Sequence, residues 1–222
     1  MKFVTCFVFL ILLNPTVSEA HRGGLETREE VETWYSGIGS RDCKDLRSDL
    51  GNPTTLRLYN DYFDGLVSGF NYEYGRIEAH IRAVGIPRFI HSNNTLRSMV
   101  SSNGFDCRWI FGDAAQRSLH NLRTSDEQKY FGVGVSSCLE FISDINRPVA
   151  LERYRQWTLG FISGMNEGSR VWSYSRPNYR IIIDKNNIIA DRASVECRTR
   201  NPAERFYNLV LEVASPFNDP SR

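Results

Sequence analysis

Apolar side chains at Tyr59, Tyr62, Phe63, Leu66, Val67 and Phe70 recur at intervals of three and four residues. That is the period of a helix with one buried face; a strand would split the set between two faces. A long helix is therefore predicted, opened by Pro53-Thr-Thr. A second is predicted through Tyr154 to Asn166, and shorter ones over Cys43 to Leu50 and Cys138 to Ile145, each stopped by an Asn/Pro cluster. Ser40 or Asp42, and Ser136 or Ser137, are the candidate caps of the short pair. Leu25–Tyr35, Asn94–Ser101 and Asp113–Leu122 are weaker helix candidates, and Arg180–Ile183 has the β-branched density of a strand. Asn201-Pro202 reads as cap and first position of a last helix, with Phe206, Leu209, Val210 and Val213 on its buried face.

A shift of 95 residues superposes much of this pattern on itself. Gly37, Gly39, Cys43, Ser48, Asp49, Pro53, Leu56, Tyr59, Gly65, Ser68, Gly69 and Asn71 meet identical residues from Gly132 to Asn166 without a gap. These identities fall on turn, packing and cysteine positions, which predicts an all-α fold of two tandem helical repeats. The repeats are placed at 30–125 and 126–215, with a loose tail at 216–222.

Composition adds a compartment. Met1-Lys2, the apolar run Phe3 to Leu13 and Ser18-Glu19-Ala20 have the layout of a signal peptide over 1–20; the run is too short to span a bilayer. No later segment is apolar enough to cross a membrane, so the expected location is periplasmic or secreted. Cys6 departs with that segment and leaves Cys43, Cys107, Cys138 and Cys197. An even number in an exported chain points to disulfides rather than a metal site, whose thiolates would sit at short spacings. Of three possible pairings, the duplication favours Cys43–Cys107 and Cys138–Cys197, one within each repeat. Twenty-seven basic residues against 26 acidic ones give a net charge of +1, with the signs interleaved. Such a balance lacks the basic footprint that nucleic-acid phosphates require.

Candidate chemistry is sparse. Glycine inside a helix costs about 1 kcal/mol relative to alanine, so the repeated Gly-x-x-Ser-Gly needs a reason. Packing against another helix, such as the one bearing the partner cysteine, is one; a paired binding site formed by Ser68, Asn71, Ser163 and Asn166 with the aromatic pair Tyr62 and Trp157 is the other. No catalytic residue, metal or cofactor is assigned. His80 and His120 in the first repeat are the candidates for a small envelope hydrolase, although nothing around them forms a motif. Asn93-Asn94-Thr95 matches the N-glycosylation sequon.

Gly132-x-Gly-x-x-x-Cys138, then Gln156-Trp-x-x-Gly-x-x-Ser-Gly-x-Asn166, then Cys197-x-x-x-x-Pro202 before an amphipathic helix resembles small exported bacterial helical proteins. Their general plan is that of HdeA-like periplasmic proteins and type VI secretion immunity proteins. The first repeat departs from the pattern, with Asp61-Tyr62 in place of Gln-Trp. The resemblance implies a non-catalytic factor that binds another protein as an immunity, inhibitor or stress protein. A structural or host-interaction role is a further alternative.

Overall fold

The computed structural model describes residues 35, 37–49, 51–78, 110–112, 114–115, 130–172, 182, 184 and 186–215. The proposed signal peptide, the tail, Cys107, Asn93 and all four histidines lie outside them, as do the helix candidates at 25–34 and 94–101. Six α-helices are bounded within the described residues: α1 (Cys43–Asp49), α2 (Pro53–Glu78), α3 (Cys138–Asp144), α4 (Pro148–Trp172), α5 (Ile188–Cys197) and α6 (Phe206–Ala214). Two short 3₁₀ turns, Gly37–Ser40 and Gly132–Val135, precede α1 and α3. Backbone at Phe111, Gly112, Ala114 and Ala115 is also helical. No helix among these residues is long and apolar enough to cross a membrane.

Local chemistry sets the starts. Asp42 caps α1 by accepting the Lys44 N–H at 3.1 Å. Ser137 caps α3 in a reciprocal box: its hydroxyl accepts the Glu140 N–H at 3.2 Å, and Glu140 accepts the Ser137 N–H at 2.7 Å. Those bonds hold the exposed Glu140 carboxyl below its ordinary pKa. Asn52 accepts from Thr54 and Thr55 at the head of α2.

The last helix begins later than its sequence suggests. Asn201 and Pro202 form a turn, and α6 starts at Phe206. The intervening backbone is committed elsewhere: Cys138 N donates to Glu204 O (2.7 Å), Leu139 N to Pro202 O (3.0 Å) and Phe206 N to Ser136 O (2.9 Å). A second departure concerns the strand expected at 180–183. Ile182, its one described residue, lies outside any strand; Asn166 holds its N–H and C=O at 2.9 and 2.8 Å. Helical backbone in the 113–122 region begins by Phe111, earlier than expected.

α2 and α4 form the centre. A Cβ placed on Gly65 would lie 2.0 Å from Trp157 O, and on Gly69 1.9 Å from Phe161 O. Reciprocally, a Cβ on Gly160 would lie 1.9 Å from Tyr62 O, and on Gly164 2.1 Å from Leu66 O. Later residues of one helix meet later residues of the other, so the pair runs parallel. The glycine stripes thus face each other and not the cysteine-bearing helix, and their absent side chains bring backbone against backbone.

Each long helix carries its own core. Tyr59, Tyr62, Phe63, Leu66, Val67, Ile110 and Phe111 cluster around α2. Tyr154, Trp157, Phe161, Ile162, Phe206, Leu209 and Val210 cluster around α4. The disulfide Cys138–Cys197 ties α3 to the end of α5.

Contacts 95 residues apart match well beyond the helices. Isolated bridges join Asp42 to Ile110 and Ser137 to Arg205. Phe111 N bonds Arg41 O as Phe206 N bonds Ser136 O, both at 2.9 Å. Tyr59 meets Phe111 edge-on with centroids 4.9 Å apart, and Tyr154 meets Phe206 at 5.0 Å.

Candidate functional site

The six residues singled out from sequence are all buried: Tyr62, Ser68 and Trp157 completely, Asn71, Ser163 and Asn166 nearly so. Their position explains why those side chains are needed. Ser68 Oγ donates to Asp64 O (2.6 Å) and accepts from Phe131 N (2.9 Å), while Trp157 Nε1 donates to Phe131 O (2.8 Å). The two long helices therefore hold both backbone polar groups of one residue, Phe131, which leads into the second 3₁₀ turn. Asn166 grips Ile182 in the same two-handed way. Tyr62 and Trp157 cover Gly39 and Gly134, where a Cβ would lie 2.1 Å from the Tyr62 hydroxyl and 2.0 Å from the Trp157 ring. The bonds Ser68, Trp157 and Asn166 make are to the chain's own backbone.

A different set of residues lines a crevice of about 620 Å³ between α2, the second 3₁₀ turn and the start of α4. Pro53, Leu56, Arg57, Asn60, Asp61 and Asp64 supply one wall; Gly132, Val133, Ser136, Asp144, Arg153 and Tyr154 supply the rest. Helical spacing explains the first wall, since positions 53, 57, 60, 61 and 64 share one face of α2. Gly132 closes the corner at φ +67°, a left-handed conformation suited to glycine, and a Cβ there would lie 2.5 Å from Asp64 Oδ2.

Asp61 is the most deeply buried of the charged residues that line the crevice. Arg153 clamps it through two bonds, Nε–Oδ2 at 2.7 Å and Nη2–Oδ1 at 3.0 Å, with the Asp61 side chain 4% exposed and that of Arg153 28%. Burial nevertheless pushes the Asp61 pKa up to about 6, outweighing the attraction of Arg153, and neighbouring Asp64 adds to the rise. At neutral pH the pair is ionised and its geometry is that of a strong bidentate bond. Asp64 is itself 8% exposed.

Two polar atoms in this lining are buried and, among the described residues, make no hydrogen bond: Asn60 Oδ1 and the Tyr154 hydroxyl. Ser136 lies beside the Tyr154 hydroxyl and favours its ionised form, without meeting it in hydrogen-bond geometry; burial keeps the phenol protonated. A buried polar atom left unmatched costs about 1–3 kcal/mol, so such atoms are uncommon in finished interiors.

Asp61, Asp64 and Arg153 were not legible as a site from the 95-residue identities: at that shift they meet Gln156, Leu159 and Leu58, so a search for identities passes over them. The differences at that shift were the available signal. Comparison with known proteins adds nothing to this geometry: no family model, curated protein or solved structure matches the chain.

Proposed function

We propose that the chain is an exported, non-catalytic factor that binds another protein, and that the Asp61 crevice is its binding site. One observation carries this reading: a charged crevice walled by both long helices, whose lining retains buried polar atoms that are unmatched among the described residues. Such a lining suits a partner that completes its hydrogen bonds. The signal-like residues 1–20, the even cysteine count and the resemblance to exported immunity-like proteins support the compartment and the class.

The same reading takes the chain as a tandem duplication, 30–125 and 126–215, with Cys43–Cys107 as counterpart of Cys138–Cys197. The shared 95-residue register of bridges, aromatic contacts and glycines supports it. Peptide mapping without reductant tests the pairing; a Cys43–Cys197 bond would contradict it.

An envelope hydrolase is the second reading. Asp61, its pKa raised by burial, with a second carboxylate, Asp64, one turn away in the crevice, is the observation in its favour. Against it, both oxygens of Asp61 are already engaged by Arg153, which leaves no good position for proton transfer to a substrate. His80 and His120, the bases expected for such an enzyme, lie outside the described residues. Affinity capture with the oxidised chain from its own cell extract tests the leading reading. Recovery of a stoichiometric partner is expected; no partner, together with turnover in a hydrolase panel, would overturn it.

A further inference from the structure

Independently of the binding reading, we infer that Tyr130 and Tyr207 form an oxidative cross-linking site. There a one-electron oxidant, such as a peroxidase with hydrogen peroxide, joins the two rings as dityrosine. Their ring centroids lie 3.9 Å apart with 15° between the planes. Aromatic pairs usually keep about 4.5–7 Å and slide sideways or turn edge-on, as their quadrupoles favour. Other tyrosines here meet phenylalanine: Tyr59 and Tyr62 contact Phe111, and Tyr154 contacts Phe141 and Phe206. In the stacked pair both partners are phenols. Both are only partly buried, so a small oxidant reaches them.

The positions 95 residues earlier show that packing alone does not call for the second phenol. Tyr35 stands for Tyr130 and Gly112 for Tyr207. There the buried Tyr35 ring lies directly on the glycine, where a Cβ would come within 2.4 Å of it. At 207 the glycine gives way to a second ring, face to face with the first. Anchored backbone presents both: Tyr207 lies in the first turn of α6, and Tyr130 precedes Phe131, which Ser68 and Trp157 hold. Stacking is also the reactive orientation. The half-filled orbital of a phenoxyl radical stands perpendicular to its ring, so a bond between ortho carbons forms along the line joining two stacked faces.

Each phenol gives up one electron and its hydroxyl proton, and the two unpaired electrons become a bond between one Cε carbon of each ring. Burial, with Tyr207 and Tyr72 nearby, pushes the Tyr130 pKa up to about 12, so its proton leaves with the electron and not before it. Each bonded carbon then releases its hydrogen as a proton while the ring oxygen takes one up, which restores both phenols. The net loss is two electrons and two protons, which convert one hydrogen peroxide to two waters.

The test exposes the full oxidised chain, at low concentration so that links between chains are rare, to a peroxidase and limiting hydrogen peroxide. Dityrosine fluorescence follows the reaction, and mass spectrometry of the digested product maps the link. A product of single-chain mass less two hydrogens is expected, with Tyr130 and Tyr207 in the joined peptides. Tyr207→Phe keeps the ring and removes the phenol, so it should abolish that link, as should Tyr130→Phe; Tyr72→Phe should leave it in place. No dityrosine, dityrosine formed only between chains, a link mapped to another pair of tyrosines, or a signal unchanged in Tyr207→Phe would each overturn the inference. If Tyr207→Phe does not fold, the link mapped in the unaltered chain decides alone.

Discussion

The two faces of the α2–α4 pair show how one piece of architecture can be closed or left open by a few substitutions. On the face around Gln156, a neutral amide bridges Ile38 and Glu152, and the Arg41–Asp49–Tyr59 chain satisfies the phenol. On the face around Asp61, the amide has become a carboxylate held by Arg153, the facing leucine has become Asp64, and the arginine has become Ser136. The backbone that frames them is shared: left-handed glycines at Gly37 and Gly132, and glycine stripes on both helices. At a shift of 95 residues the glycines that frame the helix pair are identical, while within the crevice lining Asp61, Asp64, Ser136 and Arg153 differ and Pro53, Leu56, Gly132, Asp144 and Tyr154 do not.

The comparison breaks most severely at the scaffold. Gly69→Leu and Gly164→Leu each push a side chain into a facing carbonyl, and each is expected to abolish cooperative unfolding by circular dichroism; alanine at either site should cost about 3 kcal/mol or more. An equal effect at both sites is expected because the stripes are equivalent. Removing the bridge with Cys138→Ala and Cys197→Ala releases a loop of 59 residues, and chain-entropy reasoning puts the loss at about 4 kcal/mol, read in denaturant titration of oxidised protein.

A smaller effect separates the two faces directly. Asp61→Gln copies the closed face. The folded pKa of Asp61 lies above the ordinary 3.8, at about 6, so folding favours its protonated form. Its contribution is present below pH 4 and is lost as pH rises through 6, about 3 kcal/mol in all. Arg153 and Arg57 oppose that loss and Asp64 enlarges it. Stability of the variant, measured by urea unfolding from pH 4 to 7, should lack this fall. The smallest effect concerns caps: Ser137→Ala and Asp42→Ala should each cost about 1 kcal/mol, the first slightly more because its box is reciprocal.

Much of the fold is legible in the sequence. The buried face of α2 and the breaks at Pro53 and Pro148 follow from period and breaker residues; capping chemistry narrows the caps to two residues each, of which Asp42 and Ser137 serve, and the 95-residue identities pick Cys138–Cys197 out of three possible pairings. The partner of the glycine stripes does not, because a groove of small residues accepts any backbone. That both stripes are the same was the missed clue, since identical grooves can pack on each other. Asn201-Pro202 carries a genuine start signal, but the pairing of 202–206 with 136–139 takes the backbone that a helix would need. Seeking a site among repeated residues led to Ser68 and Asn166, which hold the fold; the crevice depends on Asp61, Asp64 and Asn60, which do not repeat.

The contact between the two glycine stripes is the claim on which both cores and the crevice rest. A double-mutant cycle with Gly65→Ala and Gly160→Ala, with Gly51→Ala as control because a Cβ there meets nothing within 4 Å, tests it by denaturant unfolding. Each single variant should lose about 3 kcal/mol or more, the double should lose clearly less than the sum because the helices have already separated, and Gly51→Ala should stay within about 0.5 kcal/mol of wild type. Single losses no larger than that of the control, or strictly additive ones, would contradict a direct backbone contact between α2 and α4.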